Sequence, residues 1–551
     1  MKLFSSTTTL IGFIRIAIIA LAHVVVVANA ANVTYSVVAF PGKNEMVAVH
    51  INGTNYPLRT SPLSANLFTG SAPFGSNYQY VYLAPGDKQR PESTVRHLTN
   101  TSITSTGNEF FNRSKTIYDV PELPRAFNPI YPALHSGLGK SNEISTILLN
   151  VDFKSLQKIL KAPLKEHKFA EVYNMTFISH NEVFNYQGAG IKNSGQSSRE
   201  FAKQSFKIKF NKFNNATRDE LYGRRALKLR AEATDPSMAR EKLLLDSLNA
   251  AGAATLSGDW VRLFVNNKPF GLYLMIDETY KGFTENLLHG GNVTEGTGVT
   301  FKCNAIDHKR EANLVYHGNN NASYDFEDVY IFDNEGRDKN ITKDHYTAPI
   351  IDFMSRLNQT TIPGSNVTIT DLVDSAENTM IHIALSFLTG SWDGFWYQAS
   401  NFYLNQNWQT TKWYLITYDF DETFGNGLEV PELMTTPYQN YSRPGSQRPL
   451  VDAFIKSPYY EPKFRDILKT IVQTFFNPRV IKPRLEAWME MLKEDMEWDS
   501  SLPYRSPGQK SHFNVNNMLT TSHGTIGVLE WISNRTNALS HQLNFTYTAN
   551  N

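Results

Sequence analysis

The chain has 551 residues, 41% hydrophobic and 12% aromatic, with 53 Lys+Arg against 52 Asp+Glu. That much apolar material excludes a disordered chain, a collagen-like rod or a coiled coil, and the length fits about two to four domains. A net charge of +1 without a long basic run gives no basis for nucleic acid as a partner, and a single cysteine, Cys303, excludes an internal disulfide and any C-x-x-C site.

Residues 1–30 differ from the rest. Lys2 precedes an apolar stretch from Ile11 to Val27, broken by Arg15 and His23, and Ala28-Asn29-Ala30 follows. This reads as a signal peptide with an A-x-A cleavage site, leaving Ala31 as the mature N-terminus. The rival reading is a membrane anchor, but Arg15 and His23 cut the run below the roughly twenty apolar residues that a span needs. No later stretch is apolar enough to cross a bilayer, and the polar end, Asn544 to Asn551, lacks the tail of a lipid-anchor signal. The expectation is a mature chain without a transmembrane span, secreted or held at the cell surface. Fourteen N-x-[ST] sequons, from Asn32 to Asn544 and including Asn215, fit a secretory glycoprotein.

Residues 31–132 are strand-like. Val33–Phe40 and Met46–Ile51 are β-rich runs, with Pro41-Gly42 and Asn52-Gly53 as turn signals, and a small β-sandwich-like domain is predicted. Residues 121–139 carry four prolines and two glycines, a linker-like composition, and the domain boundary is placed there. Beyond Ser145 the pattern becomes mixed. Phe206–Phe210 alternates as a half-buried strand, and Asp235-Pro236 opens a helix, with Met238, Leu244, Leu245, Leu248 and Ala251 as its buried stripe. A hairpin follows, Trp260–Val265 and Phe270–Ile276, turned at Asn266-Asn267. Thr370–Phe387 reads as a helix, Lys412–Tyr418 as a strand, and the part beyond about Ser446 as mostly helical.

The chemistry concentrates between Ser391 and Gly425. Asp393, Asn401 and Asp419-Phe420-Asp421 follow one another, and Asp419 and Asp421 project to one side if the preceding strand persists that far. Carboxylates joined by an amide carbonyl suit Mg²⁺ or Mn²⁺ holding nucleotide phosphates. The alternative is a solvated D-x-D turn after a strand.

Five ordered blocks then carry a resemblance: Gly188–Ser198, Phe201–Phe210, Leu227–Leu243, Val261–Glu278 and Trp413–Asp421. Together they resemble the CotH family of atypical, spore-coat protein kinases over about residues 145–540, and the secreted, sequon-rich form is similar to the cell-surface CotH proteins of mucoralean fungi. The resemblance implies an α+β fold, a reduced protein-kinase-like core with a helical C-terminal part, that transfers the γ-phosphoryl group of ATP to Ser or Thr of a coat or surface protein with Mg²⁺ or Mn²⁺. Carried over, Lys203 contacts the ATP phosphates, Glu241 is its ion-pair partner, and Gly188, Gly190 and Gly195 let backbone approach phosphate. Asp277 and Glu278 resemble the hinge that meets adenine. Asp393 is the catalytic aspartate, Asn401 and Asp419 bind metal, and Asp421 is a further metal ligand. His382 reads as a core histidine.

Departures from the family pattern are Ala202 and Gln204 around the lysine and the eight-residue step from Asp393 to Asn401. The competing reading is a non-catalytic, kinase-like adhesin or invasin that engages a receptor on a host cell.

Overall fold

A computed structural model describes residues 32–547 except 87, 133, 135, 215–219, 281 and 343–344. The signal-peptide reading and the Asn215 sequon therefore lie outside the described residues.

The strand-rich N-terminal segment forms two sheets. In one, Asn32–Val38 runs between Ser64–Pro73, antiparallel, and Ser105–Phe110, parallel; in the other, Met46–Ile51 is flanked by Thr54–Pro57 and Asn77–Ala84. Alternation turns Val33, Tyr35 and Val37 of the first sheet and Val47, Val49 and Tyr80 of the second into a shared core. A buried Arg96 joins Glu92 and Glu109, and the Tyr78 and Tyr80 hydroxyls donate to Glu109.

Seven strands then close into a barrel, in the order Ile144–Val151, Ala170–Ile178, Val183–Asn193, Phe206–Lys209, Ala226–Arg230, Lys268–Asp277 and Gly258–Val265. The last returns parallel to the first. Closure leaves no unpaired edge. Ile147, Val172, Ile191, Ile208, Leu229 and Val261 fill the interior. The hairpin turns where expected, with Asn266 and Asn267 both at positive φ. In Ala226–Arg230 the leucines at 227 and 229 belong to the interior, so Lys228 and Arg230 stand on the outside.

A second, four-stranded antiparallel sheet pairs Tyr330–Asn334, Thr297–Cys303, Phe402–Asn407 and Lys412–Thr417, in that order. Helices pack around it and dominate the C-terminal part, the longest being Pro478–Ser500. The molecule is α+β.

Two expectations are corrected here. The helix expected from Pro236 begins at Arg240, because Met238 sits at φ 56° and breaks the first turn. Asp235 still caps it, accepting from the N–H groups of Ser237, Ala239 and Arg240. The helix expected from Thr370 begins at Ala376, after a short turn at Ile369–Asp371. The Pro-rich 121–139 segment runs against its neighbours: Ala126 and Ile130 donate to the carbonyls of Ala250 and Gly252, and Tyr131 packs beside Tyr414. The N-terminal sheets are likewise docked, through Arg113, whose Nε lies 2.9 Å from the buried Asp495, and through Phe40 stacked on Phe264 at 4.5 Å.

Candidate active site

A cavity of about 520 Å³ opens between the outer face of the barrel and the second sheet. The barrel supplies Lys228, Arg230 and the end of Lys268–Asp277; the sheet and its loops supply Lys302, Asp393, Asn401, Asp419 and Asp421. Leu256 and Ile276 give it an apolar wall.

The strand leading into Asp419 stops at Thr417, and Asp419 takes φ 65°. Asp419 and Asp421 are thus not brought together by strand alternation, as expected, but by a guanidinium. Arg230 pairs with Asp419, with Asp421 at 3.0 Å, with Glu241 at 3.4 Å and with Glu232 at 3.1 Å. Thr234 donates its hydroxyl to Asp421, and the Phe420 N–H donates to Glu241 at 2.7 Å. The Arg240–Ala250 helix therefore does position Glu241 in the site, though not beside Lys203. On the opposite side, Asn401, also at positive φ, donates its amide both to the Asp393 carbonyl and to the Asp393 carboxylate, each at 2.9 Å.

So many carboxylates in a partly dry space repel one another. Burial, then Asp419 and Asp421, push the Asp393 carboxyl up to about 7. Glu422 rises to about 8 and Glu241 to about 7, burial leading in both. Burial also acts to raise Asp419, but Arg230 and Lys228 overcome it and hold that carboxyl far below the usual range. Burial, with Lys228 nearby, lowers Lys302. The result is a split set: Asp419 ionised, Asp393 poised near neutrality.

Oxygens of Glu241, Asp419 and Asp421 come within 4.8 Å of one another. Glu241 Oε1 and Glu232 Oε2 are buried with no hydrogen-bond partner among the described residues. Orphaned carboxylate oxygens in an all-oxygen donor set fit a hard divalent cation such as Mg²⁺ or Mn²⁺.

This geometry lies inside the stretch that matches a known family: residues 191–538 match the model described as "CotH kinase protein". The chain belongs to the CotH family. It is 26% identical to Invasin CotH3 of Rhizopus delemar over 507 residues, covering 90% of this chain and 80% of that protein. Spore coat protein homolog 1 of the same fungus is 26% identical over 566 residues, covering 94% and 83%. Inner spore coat protein H of Bacillus subtilis is 22% identical over 313 residues, covering 56% of this chain and 77% of that protein.

Of the residues that the CotH resemblance singled out, Asp393, Asn401, Asp419, Asp421, Gly195, Asp277 and Glu278 all line the cavity. Asp277 and Glu278 have engaged side chains: Asp277 binds Arg224 at 2.8 Å and the Ser257 N–H at 2.7 Å, and Glu278 pairs with Lys207 at 2.8 Å. Gly188 and Gly190 do not line it. They lie in the barrel strand Val183–Asn193, where a side chain at either would strike Asn214 or Lys212.

Lys203 is the main displacement. It is buried against a different cavity, its ammonium 2.9 Å from Asp499 and 4.5 Å from the centre of the Phe513 ring. The expected Lys203–Glu241 pair is not formed; Arg230 holds Glu241 instead. Sequence reasoning passed over Lys228, Arg230, Lys302 and Glu232. A signal existed in Leu227-Lys-Leu-Arg230, whose alternation puts two cations on one face of a strand. His382 is a satisfied core histidine, bonded to Thr417 at 2.8 Å and the Ala254 carbonyl at 3.1 Å.

Proposed function

We propose that the cavity between the barrel and the second sheet binds ATP with Mg²⁺ or Mn²⁺ and transfers its γ-phosphoryl group to a Ser or Thr hydroxyl of a protein, from a reduced kinase-like core. The single observation that carries this is the meeting of seven carboxylates, Asp393, Asp419, Asp421 and Glu422 among them, and three cations, Lys228, Arg230 and Lys302, in one cavity. A metal–nucleotide ligand needs both signs at once, cations for the phosphates and carboxylates for the metal. Asp419, Asp421 and Glu241 would hold the divalent cation, which would neutralise charge on the phosphates. Lys228 and Lys302, which have no ion-pair partner among the described residues, bind phosphate oxygens, and the loop Gly195–Ser198 offers backbone N–H groups beside them. Leu256 and Ile276 face the base, with the 277–279 backbone at its edge.

Asp393 takes the role of proton acceptor. Its carboxyl, raised to about 7, matches the neutral range in which a general base works best, and Asn401 fixes its direction. In this reading Lys228, Arg230 and Lys302 do the work that the family pattern assigned to Lys203.

The test is transfer from radiolabelled ATP to a Ser/Thr-rich acceptor protein with Mn²⁺ or Mg²⁺. Labelling is expected to depend on the metal and to be lost in Asp419→Ala; undiminished labelling in that variant would refute the assignment. A second role, recognition of a host-cell surface, is favoured by relatives named as invasins. Adhesion that persists in Asp419→Ala would separate the two. A secretory route to the surface is supported by the sequons: of fourteen, Asn215 lies outside the described residues, and the other thirteen asparagines are all exposed.

A further inference from the structure

Lys203 faces a cavity that the proposed transfer reaction does not use. It measures about 360 Å³, within the range of small-molecule sites, and lies between the barrel and the segment 499–514 that follows the long Pro478–Ser500 helix. The segment is tied down. Ala202 and Gln509 exchange backbone hydrogen bonds with Gln509 and Glu200 respectively, and the Tyr504 hydroxyl donates to the Ser511 carbonyl at 3.0 Å.

The walls combine flat rings with charge. Phe270, Tyr273, Tyr504 and Phe513 line the cavity beside Lys203 and Arg505. The charges are unequal. Asp499 is saturated, one oxygen bound by Lys203 at 2.9 Å and the other by the Leu272 N–H at 2.9 Å. Arg505 has no carboxylate partner among the described residues: it lies 4.5 Å from the centre of the Phe270 ring and donates to the Pro269 carbonyl, while its Nε is buried and unpartnered. The Ser511 hydroxyl is likewise buried without a partner among the described residues. One uncompensated cation and an idle hydroxyl among aromatic faces are the complement of an anion carried on a flat apolar body. None of the thirteen described sequon asparagines lines the cavity.

We propose that this second cavity binds a small organic monoanion with an aromatic body, an aryl carboxylate, with Arg505 meeting the carboxylate and Phe270 and Phe513 the ring. The extended segment around Ser205 separates it from the nucleotide cavity, since Ser205 lines that cavity while its neighbours Lys203, Gln204 and Phe206 line this one. The two sites are neighbours across one stretch of chain and do not share a ligand.

Calorimetric titration of the full mature chain with naphthylacetate, against the neutral naphthylacetamide, tests it. The carboxylate is expected to bind at least about tenfold more tightly than the amide. Arg505→Gln is expected to erase that difference, and Phe513→Leu to weaken both ligands. ATP with Mn²⁺ should not displace the carboxylate. No heat at about 5 mM ligand, equal affinity for acid and amide, unchanged preference in Arg505→Gln, or displacement by ATP would each overturn the proposal. Should Arg505→Gln fail to fold, the Phe513→Leu titration and the ATP competition still decide it.

Discussion

The cavity that holds Lys203 and the cavity that holds Arg230 both set a buried cation against a carboxylate, yet their charge balances differ. Lys203 meets one acid, Asp499, and both oxygens of that acid are engaged. Arg230 meets four, Glu232, Glu241, Asp419 and Asp421, and two of these keep an oxygen with no partner among the described residues. A closed one-to-one pair holds structure and asks for nothing more. An excess of buried acid is costly unless another cation arrives. The lesson is that a family lysine should be placed by the balance around it as well as by the motif that contains it.

The comparison breaks most visibly at Asp393. If the acid-rich cavity transfers phosphoryl groups, Asp393→Asn lowers kcat by about 100-fold or more, because the hydroxyl proton loses its acceptor. The ATP-induced rise in melting temperature should survive, since Asp393 serves the proton and not the nucleotide. Loss of that rise, with kcat unchanged, would reverse the roles assigned to the two sides of the cavity.

Next comes Lys203→Met. Removing one partner from a buried pair leaves Asp499 charged and unpaired, which costs about 3–5 kcal/mol of stability. Folded protein should still bind ATP with Mn²⁺ as tightly as the parent. A double variant, Lys203→Met with Asp499→Leu, should recover much of the lost stability, as measured by chemical denaturation. If Lys203→Met instead retains its stability and loses nucleotide binding, Lys203 belongs to the first cavity after all.

These two positions also mark how far the sequence could be read. The sandwich strands, the Asn266-Asn267 hairpin and the run from Asp393 to Asp421 were legible, because alternation, turn chemistry and spacing are local. The partner of Lys203 was not: Asp499 lies 296 residues away. Nor was the hub at Arg230, which meets Asp419 across 189 residues. Leu227-Lys-Leu-Arg230 announces a strand with cations on one face, but only the packing of the second sheet against that face decides what they meet. The start of the helix that carries Glu241 was misplaced for a related reason. Asp235-Pro236 is a good opening in isolation, and the positive φ at Met238 postpones the helix to Arg240.

A smaller effect sharpens the assignment of phosphate contacts. Lys302 lines the acid-rich cavity, has no ion-pair partner among the described residues, and sits 5.6 Å from the centre of the Tyr418 ring. Lys302→Met keeps the bulk of the side chain and removes one charge, so the fold should persist. The expected result is a rise of about tenfold in KM for ATP, about 1.4 kcal/mol, with kcat little changed. Phosphate affinity unaffected by this change would leave Lys228 and Arg230 as the cations that matter.

A last effect lies in neither cavity and shows what burial alone does to an acid here. Asp259, on the barrel strand Gly258–Val265, is buried, and its carboxylate accepts from the Gly139 N–H at 2.7 Å. Burial, only partly offset by Lys242, raises it to about 7. In the unfolded chain it titrates near about 4. Between those values the folded protein holds a proton that the unfolded chain has lost, so the contribution is fully present below about pH 4 and disappears as pH rises through about 7. Asp259→Asn keeps the acceptor and removes the charge. It should match the parent in stability at pH 4 and exceed it by up to about 4 kcal/mol at pH 8, read from thermal melts at both values. A gain that is equal at both pH values would mean that packing, not ionisation, sets the cost of an acid inside this barrel wall, and the same doubt would then extend to the raised carboxyl of Asp393.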